Sequence, residues 1–182
     1  IFISCPAEHS PGKLIQCVSP VGDAEIWVGS EKGLNILSIV SGQAVSANAQ
    51  YPELAAVKVS VRSLLIRENT AWIGTENGLY RYSMETRLVS HFTDKLPGAS
   101  NRITALLCDR VGNVVVGTEE GVSILNEQSG LFTKIDLQKN QLGNLHIKAL
   151  LDDDKGNIWI ATFGNGLYVG SIYTGTFANY EY

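Results

Sequence analysis

The sequence predicts an all-β chain made of four copies of one four-stranded unit, and three observations carry that prediction. A Gly-punctuated phrase returns four times: "WVGSEKGLNIL" at 27–37, "WIGTENGLYRY" at 72–82, "VVGTEEGVSIL" at 115–125 and "WIATFGNGLYV" at 159–169. Its anchors (Trp27, Trp72, Val115, Trp159) and its closing glycines (Gly33, Gly78, Gly121, Gly166) recur about every 44 residues. Short apolar runs between turn residues fill the rest, without the 3.6-residue pattern of helical repeats.

Each unit lists the same parts in the same order. A first strand is predicted from "VRSLLI" at 61, "ITALLC" at 103 and "IKALLD" at 147, apolar on both alternating faces. A tight turn follows at "RENT", "DRVGN" and "DDKGN", where Asp, Gly and Asn suit positive φ angles. The second strand is "AWIG", "VVVG" or "IWIA", and the repeated phrase then turns the chain. In that phrase the Trp reads as a packing anchor between units, the glycines make the turn, and Thr75 is expected to hydrogen-bond the turn backbone. The third strand is "LYRYS", "VSILN" or "LYVGS". A further turn is placed at Ser41-Gly42, Thr86-Arg87, Ser129-Gly130 and Thr174-Gly175. The fourth strand is "LVSHF", "LFTKI" or "TFANY". Val89 and Phe92, Phe132 and Ile135, and Phe177 and Tyr180 stand at equal offsets from the closing glycines, which predicts one shared register.

A four-stranded sheet with two apolar faces cannot bury both alone, and radial stacking of such sheets gives a β-propeller. The fold expected is therefore a β-propeller fragment of about four blades, each of four antiparallel strands. Residues 1–10 read as a remnant strand of a preceding blade. Residues 11–57, 58–100, 101–144 and 145–182 then read as blades 1 to 4. Four blades do not close a usual ring, so a piece of a longer chain is favoured over several copies completing a ring. Blade 1 is irregular, with "SGQAVSANAQYPELAAVKVS" in place of a crisp fourth strand and linker; blade 4 carries Ala161 for Gly and one inserted residue at 163–165.

Bulk properties exclude several classes. The chain of 182 residues is 45% apolar and 18% charged, with net charge −4 and no Lys/Arg cluster, so a nucleic-acid footprint is not expected. No apolar run approaches the roughly 18 residues of a membrane span, and no N-terminal stretch reads as a signal peptide. Cys5, Cys17 and Cys108 match no zinc spacing; they read as small apolar fillers, with a Cys5–Cys17 bridge left open. His9, His91 and His146 share no ligand spacing, and His91 reads as a half-exposed strand residue beside Phe92. "DDDKGN" at 152 fails the EF-hand pattern and reads as a turn. Asp109 and Asp154 are taken as turn formers in equivalent turns rather than as a glycosidase pair. No phosphate-binding, dinucleotide or nucleophile-elbow motif occurs. No catalytic residue, metal site or cofactor is expected.

The phrases "NRITALLCDRVGNVVVGTEEGVSIL" and "HIKALLDDDKGNIWIATFGNGLYVGSIYTGTFANY" resemble the two-component regulator propeller repeats, as does the linker "HFTDKLPGASNRITAL". The resemblance implies a non-catalytic segment of the extracytoplasmic, periplasmic sensor of a hybrid two-component system of Bacteroidetes type. It implies further blades, downstream signalling domains with a histidine kinase, and oligosaccharide ligands from polysaccharides. A homodimer stays open as a partner arrangement; membrane contact of this segment is not expected. The rival expectations are a propeller that serves only protein interaction or dimerisation, and a propeller glycan lyase or hydrolase.

Hairpin turns alternate between the ends of a blade, so the turns between second and third strands share an end with the blade-to-blade linkers. That end carries Lys32, Glu76, Asn101 and Asn144 as well as the residues chosen as candidate ligand contacts. The chosen residues are Asn77, Arg102, Glu119, Glu120, His146, Phe163 and Asn165. Planar polar side chains and aromatic faces are what a sugar ring requires. Phe163 is the turn residue that breaks the repeat with an aromatic.

Overall fold

The computed structural model describes residues 12–93, 100–135, 145–153 and 155–180. Within them sixteen strands form four antiparallel sheets of four, each with its strands in sequence order. The first sheet holds β1 (Ile15–Val21), β2 (Glu25–Ser30), β3 (Gly33–Ser38) and β4 (Ala44–Ser46). The second holds β5 (Val61–Arg67), β6 (Thr70–Thr75), β7 (Gly78–Ser83) and β8 (Val89–Phe92). The third holds β9 (Ile103–Cys108), β10 (Val114–Thr118), β11 (Gly121–Asn126) and β12 (Leu131–Ile135). The fourth holds β13 (Ile147–Asp152), β14 (Ile158–Thr162), β15 (Leu167–Ser171) and β16 (Thr176–Tyr180). The chain divides into two compact units, residues 1–91 and 92–182.

Burial follows the sequence pattern. All five residues of β10, and Ala71 to Thr75 of β6, are buried, as for strands covered on both faces. In the first unit Trp27 is fully buried, its ring 6.3 Å from Tyr82 and 5.7 Å from Tyr51, in a cluster with Leu34, Ile36, Val61 and Ile73. This is the packing of one sheet on the next expected of the repeated Trp; Trp159, by contrast, is only half-buried, and its Nε1–H donates to Asp153 Oδ2 at 3.2 Å. In the second unit the equivalent Val115 is fully buried in an aliphatic cluster with Val122, Ile147, Ile158 and Ile160.

The repeated turn is held by one hydroxyl used twice. Thr75 Oγ1 donates to the Gly78 carbonyl at 2.8 Å and accepts the Asn77 amide at 3.1 Å. Ser30 does the same with Gly33 (3.3 Å) and Lys32 (3.1 Å), and Thr118 with Gly121 and Glu120 (both 3.1 Å). Thr162 bonds Gly166 (2.7 Å) and Asn165 (3.2 Å), spanning the inserted residue. The glycine before the hydroxyl residue has a different task. A Cβ on Gly117 would lie 2.7 Å from Ile147 Cγ2, and one on Gly29 would lie 2.7 Å from Val61 Cγ1. Each absent side chain admits the first residue of the next sheet's inner strand.

Several local expectations are corrected. Asp153, not Asp154, is the partner of Asp109 in the equivalent turn; Asp154 lies outside the described residues. Asp109 Oδ1 accepts the Val111 and Asn113 amides and Oδ2 accepts Asn113 Nδ2, and Asp153 repeats this with Lys155 and Asn157. The alignment of the two "GN" turns decides the register. The fourth strands share one register, with Val122 opposite Ile135 and Leu167 opposite Tyr180. Residues three apart face opposite sides, however, so Ile135 is buried while Phe132 is only half-buried. Arg87 adopts φ 58° where the matching turns use Gly42, Gly130 and Gly175. His91 is exposed rather than half-exposed. The irregular stretch of blade 1 folds as a short helix, α1 (Ala47–Gln50), and a 3-10 turn, Pro52–Ala56. Tyr51, Trp27 and Gln50 all donate to the Glu25 carboxylate, which ties this stretch to β2. Burial pushes the Cys17 thiol up to about 11, as expected of a small core filler; Cys5, residues 1–10 and Asn144 lie outside the described residues.

Replacing Thr75 by Val keeps the shape but removes the hydroxyl donor from the buried bond to the Gly78 carbonyl and the acceptor of the part-buried Asn77 amide. We predict a loss of about 1–3 kcal/mol for Thr75→Val and well under about 1 kcal/mol for Thr75→Ser, since Ser30 already serves in the first unit. Denaturant unfolding of the two variants decides it; equal losses would refute the hydroxyl's role.

Candidate functional site

The end of each sheet that carries the repeated phrase is also where the chain enters the inner strand. In the first unit the Glu31 amide donates to the Leu14 carbonyl (3.3 Å) and the Glu76 amide to the Ser60 carbonyl (3.2 Å). In the second, the Phe163 amide donates to the His146 carbonyl at 2.8 Å. Linker and turn are thus bonded neighbours, as the alternation of hairpins predicts. Arg102 and Glu119 occupy the same two repeat positions as His146 and Phe163.

The structure joins the predicted residues in pairs at those positions. Arg102 Nη1 lies 3.3 Å and 3.5 Å from the two Glu119 carboxylate oxygens. The His146 and Phe163 rings are 5.8 Å apart at 41°. The contact of Gly117 with Ile147 sets both pairs at one end of the second unit, because Glu119 and His146 each lie within two residues of it. Phe163 is 68% exposed. Glu120 and Asn165 give their amides to Thr118 and Thr162, which leaves their side chains without a part in the turn bond. Asn77 lies in the first unit. There the His91 Nε2–H donates to the Asn77 carbonyl at 2.8 Å, and the His91 ring stacks on Tyr80 with centroids 3.8 Å apart.

Sequence reasoning missed a further set. Every inner strand carries a bulge at one position, and the skipped residues are Gln16, Arg62, Thr104 and Lys148. A bulge re-aims the residue it leaves unpaired. Lys148 Nζ comes to 5.0 Å from the centre of the Phe163 ring, Gln16 Nε2 donates to Ser60 Oγ at 3.0 Å, and Thr104 Oγ1 is buried with no partner among the described residues. The signal available was a polar residue of changing type, one place into an otherwise apolar strand. The second unit therefore presents an exposed aromatic ring, an ammonium over it, an imidazole beside it and an ion pair at the neighbouring sheet. Such a set can stack on a ring and hydrogen-bond its substituents. His146 faces an aromatic ring rather than a nucleophile.

The opposite end of the second unit is locked. Tyr173 donates to Asp109 Oδ2 at 2.5 Å, and Arg110 Nη2 meets Asp152 Oδ1 at 3.2 Å. Burial works against the Asp109 charge, yet hydrogen bonds from Tyr173 and Asn113 hold its carboxyl below the usual range. Burial and the Asp109 bond push Tyr173 up to about 12.

Four repeated four-stranded antiparallel sheets, with variable polar and aromatic residues in the repeated turn, define a β-propeller segment. Residues 141–164, which include the first two strands of the fourth sheet, match the sequence profile of the two component regulator propeller. Among solved structures, the chain is similar to the extracellular domain of the B. thetaiotaomicron system BT4673, named in one case a one component and in another a hybrid two component system. The identity is 22% and 23%, the TM-score 0.79 and 0.78, with 91% of this chain and 22% of that one covered. It is also similar to the extracellular domain of the hybrid two component system named BT3049 of the same organism (21% identity, TM-score 0.72, 91% and 21% covered). PorZ of Porphyromonas gingivalis, described as a surface component of the type-IX secretion system, shares 17% identity at TM-score 0.67, with 91% and 27% covered. These likenesses show the fold. The chain spans about a fifth of the length of the first solved proteins it matches. No protein of curated function matches the sequence.

Because the Asp109 carboxyl is held below its ordinary value of about 3.9, its contribution to stability is complete above that value and drains away as pH falls through the lower folded value. Asp109→Asn is expected to cost about 1–2 kcal/mol at neutral pH. The gap to the unaltered chain should narrow below about pH 4. Thermal unfolding of both chains from neutral pH to pH 3 tests this, and a gap that stays constant with pH would show that the charge is not what stabilises the turn.

Proposed function

We propose that the chain is a non-catalytic ligand-sensing segment of the extracytoplasmic part of a two-component sensor. In this reading it holds a polysaccharide-derived oligosaccharide at the phrase-bearing end of the second unit. The carrying observation is Phe163, an exposed ring set by an insertion into the one turn that breaks the repeat, with Lys148, His146 and the Arg102–Glu119 pair around it. A sugar ring has an apolar face that stacks on an aromatic and a rim of hydroxyls that needs planar polar partners. The naming of BT4673 and BT3049 as extracellular domains of regulatory systems supports the setting. In a full-length protein the ligand would act by favouring one packing of the blades or subunits over another, and so bias a kinase.

Titration calorimetry with a panel of plant and host oligosaccharides, alongside assays for new reducing ends or unsaturated products, tests the reading. We predict saturable binding of at least one oligosaccharide with no product formed. Phe163→Ala should weaken that binding by about 3- to 10-fold, the worth of one aromatic stack, with the unfolding midpoint unchanged. Product formation would make the segment an enzyme, and binding indifferent to Phe163 would move the site elsewhere.

A further inference from the structure

The stretch that breaks the repeat in the first unit builds a second feature that the reading above does not use. Between the β2–β3 turn and the α1/3-10 segment lies a cleft of about 90 Å³. Behind it stand the buried Leu34, Ala47, Leu54 and Val57, each at most 6% exposed. Its rim carries Lys32 and Lys58 with Ser46 and Asn48, and none of the lining residues is acidic. The acid next to Lys32 in sequence, Glu31, spends its two carboxylate oxygens on the Lys13 and Leu14 amides at 2.9 Å and 3.0 Å. Glu31 keeps a charge interaction with Lys32 but does not line the cleft, so two lysines stand there in a chain whose net charge is −4. The cleft is also preformed. The segment behind it is pinned by Leu54 and Ala47 in the core, and its Tyr51 sits between Trp27 and Tyr82.

Resting on the glycan reading proposed above, we propose that this cleft binds the anionic substituent of an acidic sugar, a carboxylate or a sulfate, between Lys32 and Lys58. The volume admits on the order of six waters: room for one charged group and the edge of its ring, and too little for a whole saccharide. The ammonium groups bind the oxyanion as point charges. Ser46 donates to Asn48 Oδ1, which leaves the Asn48 amide N–H groups at the rim for the ring's hydroxyls. A neutral sugar offers Asn48 the same hydroxyls but brings no charge to the two lysines.

The site is independent of Phe163, and the test keeps the two apart. Glucuronate, galactose 6-sulfate, glucose and inorganic sulfate are titrated into the 182-residue chain, with the amide resonances of Lys32, Asn48 and Lys58 followed by NMR. Both acidic sugars are expected to shift these resonances saturably and glucose is not. A response to only one of them identifies the oxyanion as carboxylate or sulfate. Lys32→Met and Lys58→Met should each weaken binding by about tenfold, and raising salt should weaken it further; Phe163→Ala should leave it unchanged. The proposal is overturned if glucose binds as well as glucuronate, if neither acidic sugar shifts the three resonances, or if the lysine variants bind normally. Inorganic sulfate binding as tightly as either sugar would reduce the cleft to a simple anion site and overturn the saccharide assignment. Oligosaccharide binding that is indifferent to Phe163→Ala would count against the sensing site of the second unit and leave this one standing.

Discussion

Everything else in the fold leans on one hydroxyl group bonded on both sides. Ser30, Thr75, Thr118 and Thr162 each donate to the carbonyl of the glycine that closes the turn and accept the amide one residue before it. Three of the four residues are fully buried, and their bonds to the glycine carbonyls are buried with them. The bond fixes where the second strand stops and the third begins. In Gly29 and Gly117 it is preceded by the missing side chain that lets the next inner strand close in. Register within a sheet and approach between sheets are therefore set by the same three-residue device. The residues inside the turn are released from structural work, which is why Glu119 and Glu120 in one copy can become Phe163, Gly164 and Asn165 in another.

Legibility in the sequence followed this division of labour. The strands and the hydroxyl bond were readable because they repeat, and a repeated physical need leaves a repeated residue. Side chains whose partners are distant in sequence were not readable from spacing: the pairing of Tyr173 with Asp109, and the position of Lys148 over Phe163, depend on how one sheet lies on the next. The bulged positions were overlooked for the opposite reason. Gln16, Arg62, Thr104 and Lys148 share a backbone geometry and no chemistry, so composition gives no hint of their equivalence. The helical stretch at 47–56 carries too few turns for a helical period to show, and it is held by tertiary contacts to Glu25 and Trp27 rather than by propensity.

The candidate site was legible in part. The shared end of linker and turn followed from hairpin alternation alone, and Arg102, Glu119, His146 and Phe163 do meet there in pairs. Asn77 was placed at the right kind of turn but in the first unit, where its carbonyl serves His91. The contrast between the two ends of the second unit gives the placement physical sense. One end is drawn together by the Asp109 and Asp153 turns, the Tyr173 bond and the Arg110–Asp152 pair, and the other leaves a large ring in solvent. Rigidity at one end is what allows side chains at the other to hold a fixed geometry without being buried.

The two cores show how far the repeat can drift while that device holds. In the first unit the anchor is Trp27, and the space around it is filled by Tyr51 and Tyr82, one contributed by the irregular segment and the other by the next sheet. In the second the anchor shrinks to Val115, and Ile158 stands where the first unit has Ala71, while Ile160 and Tyr168 match Ile73 and Tyr80. Volume lost at the anchor is returned by a neighbour on the facing strand, as close packing demands. An aromatic core brings polar handles that need partners, and Glu25 supplies them to Trp27 and Tyr51; an aliphatic core needs far fewer. The acid at Glu25 and the helical segment it holds thus belong to the first unit for the same reason. They come with the larger aromatics, and the cleft rimmed by Lys32 and Lys58 exists because that segment had to be accommodated.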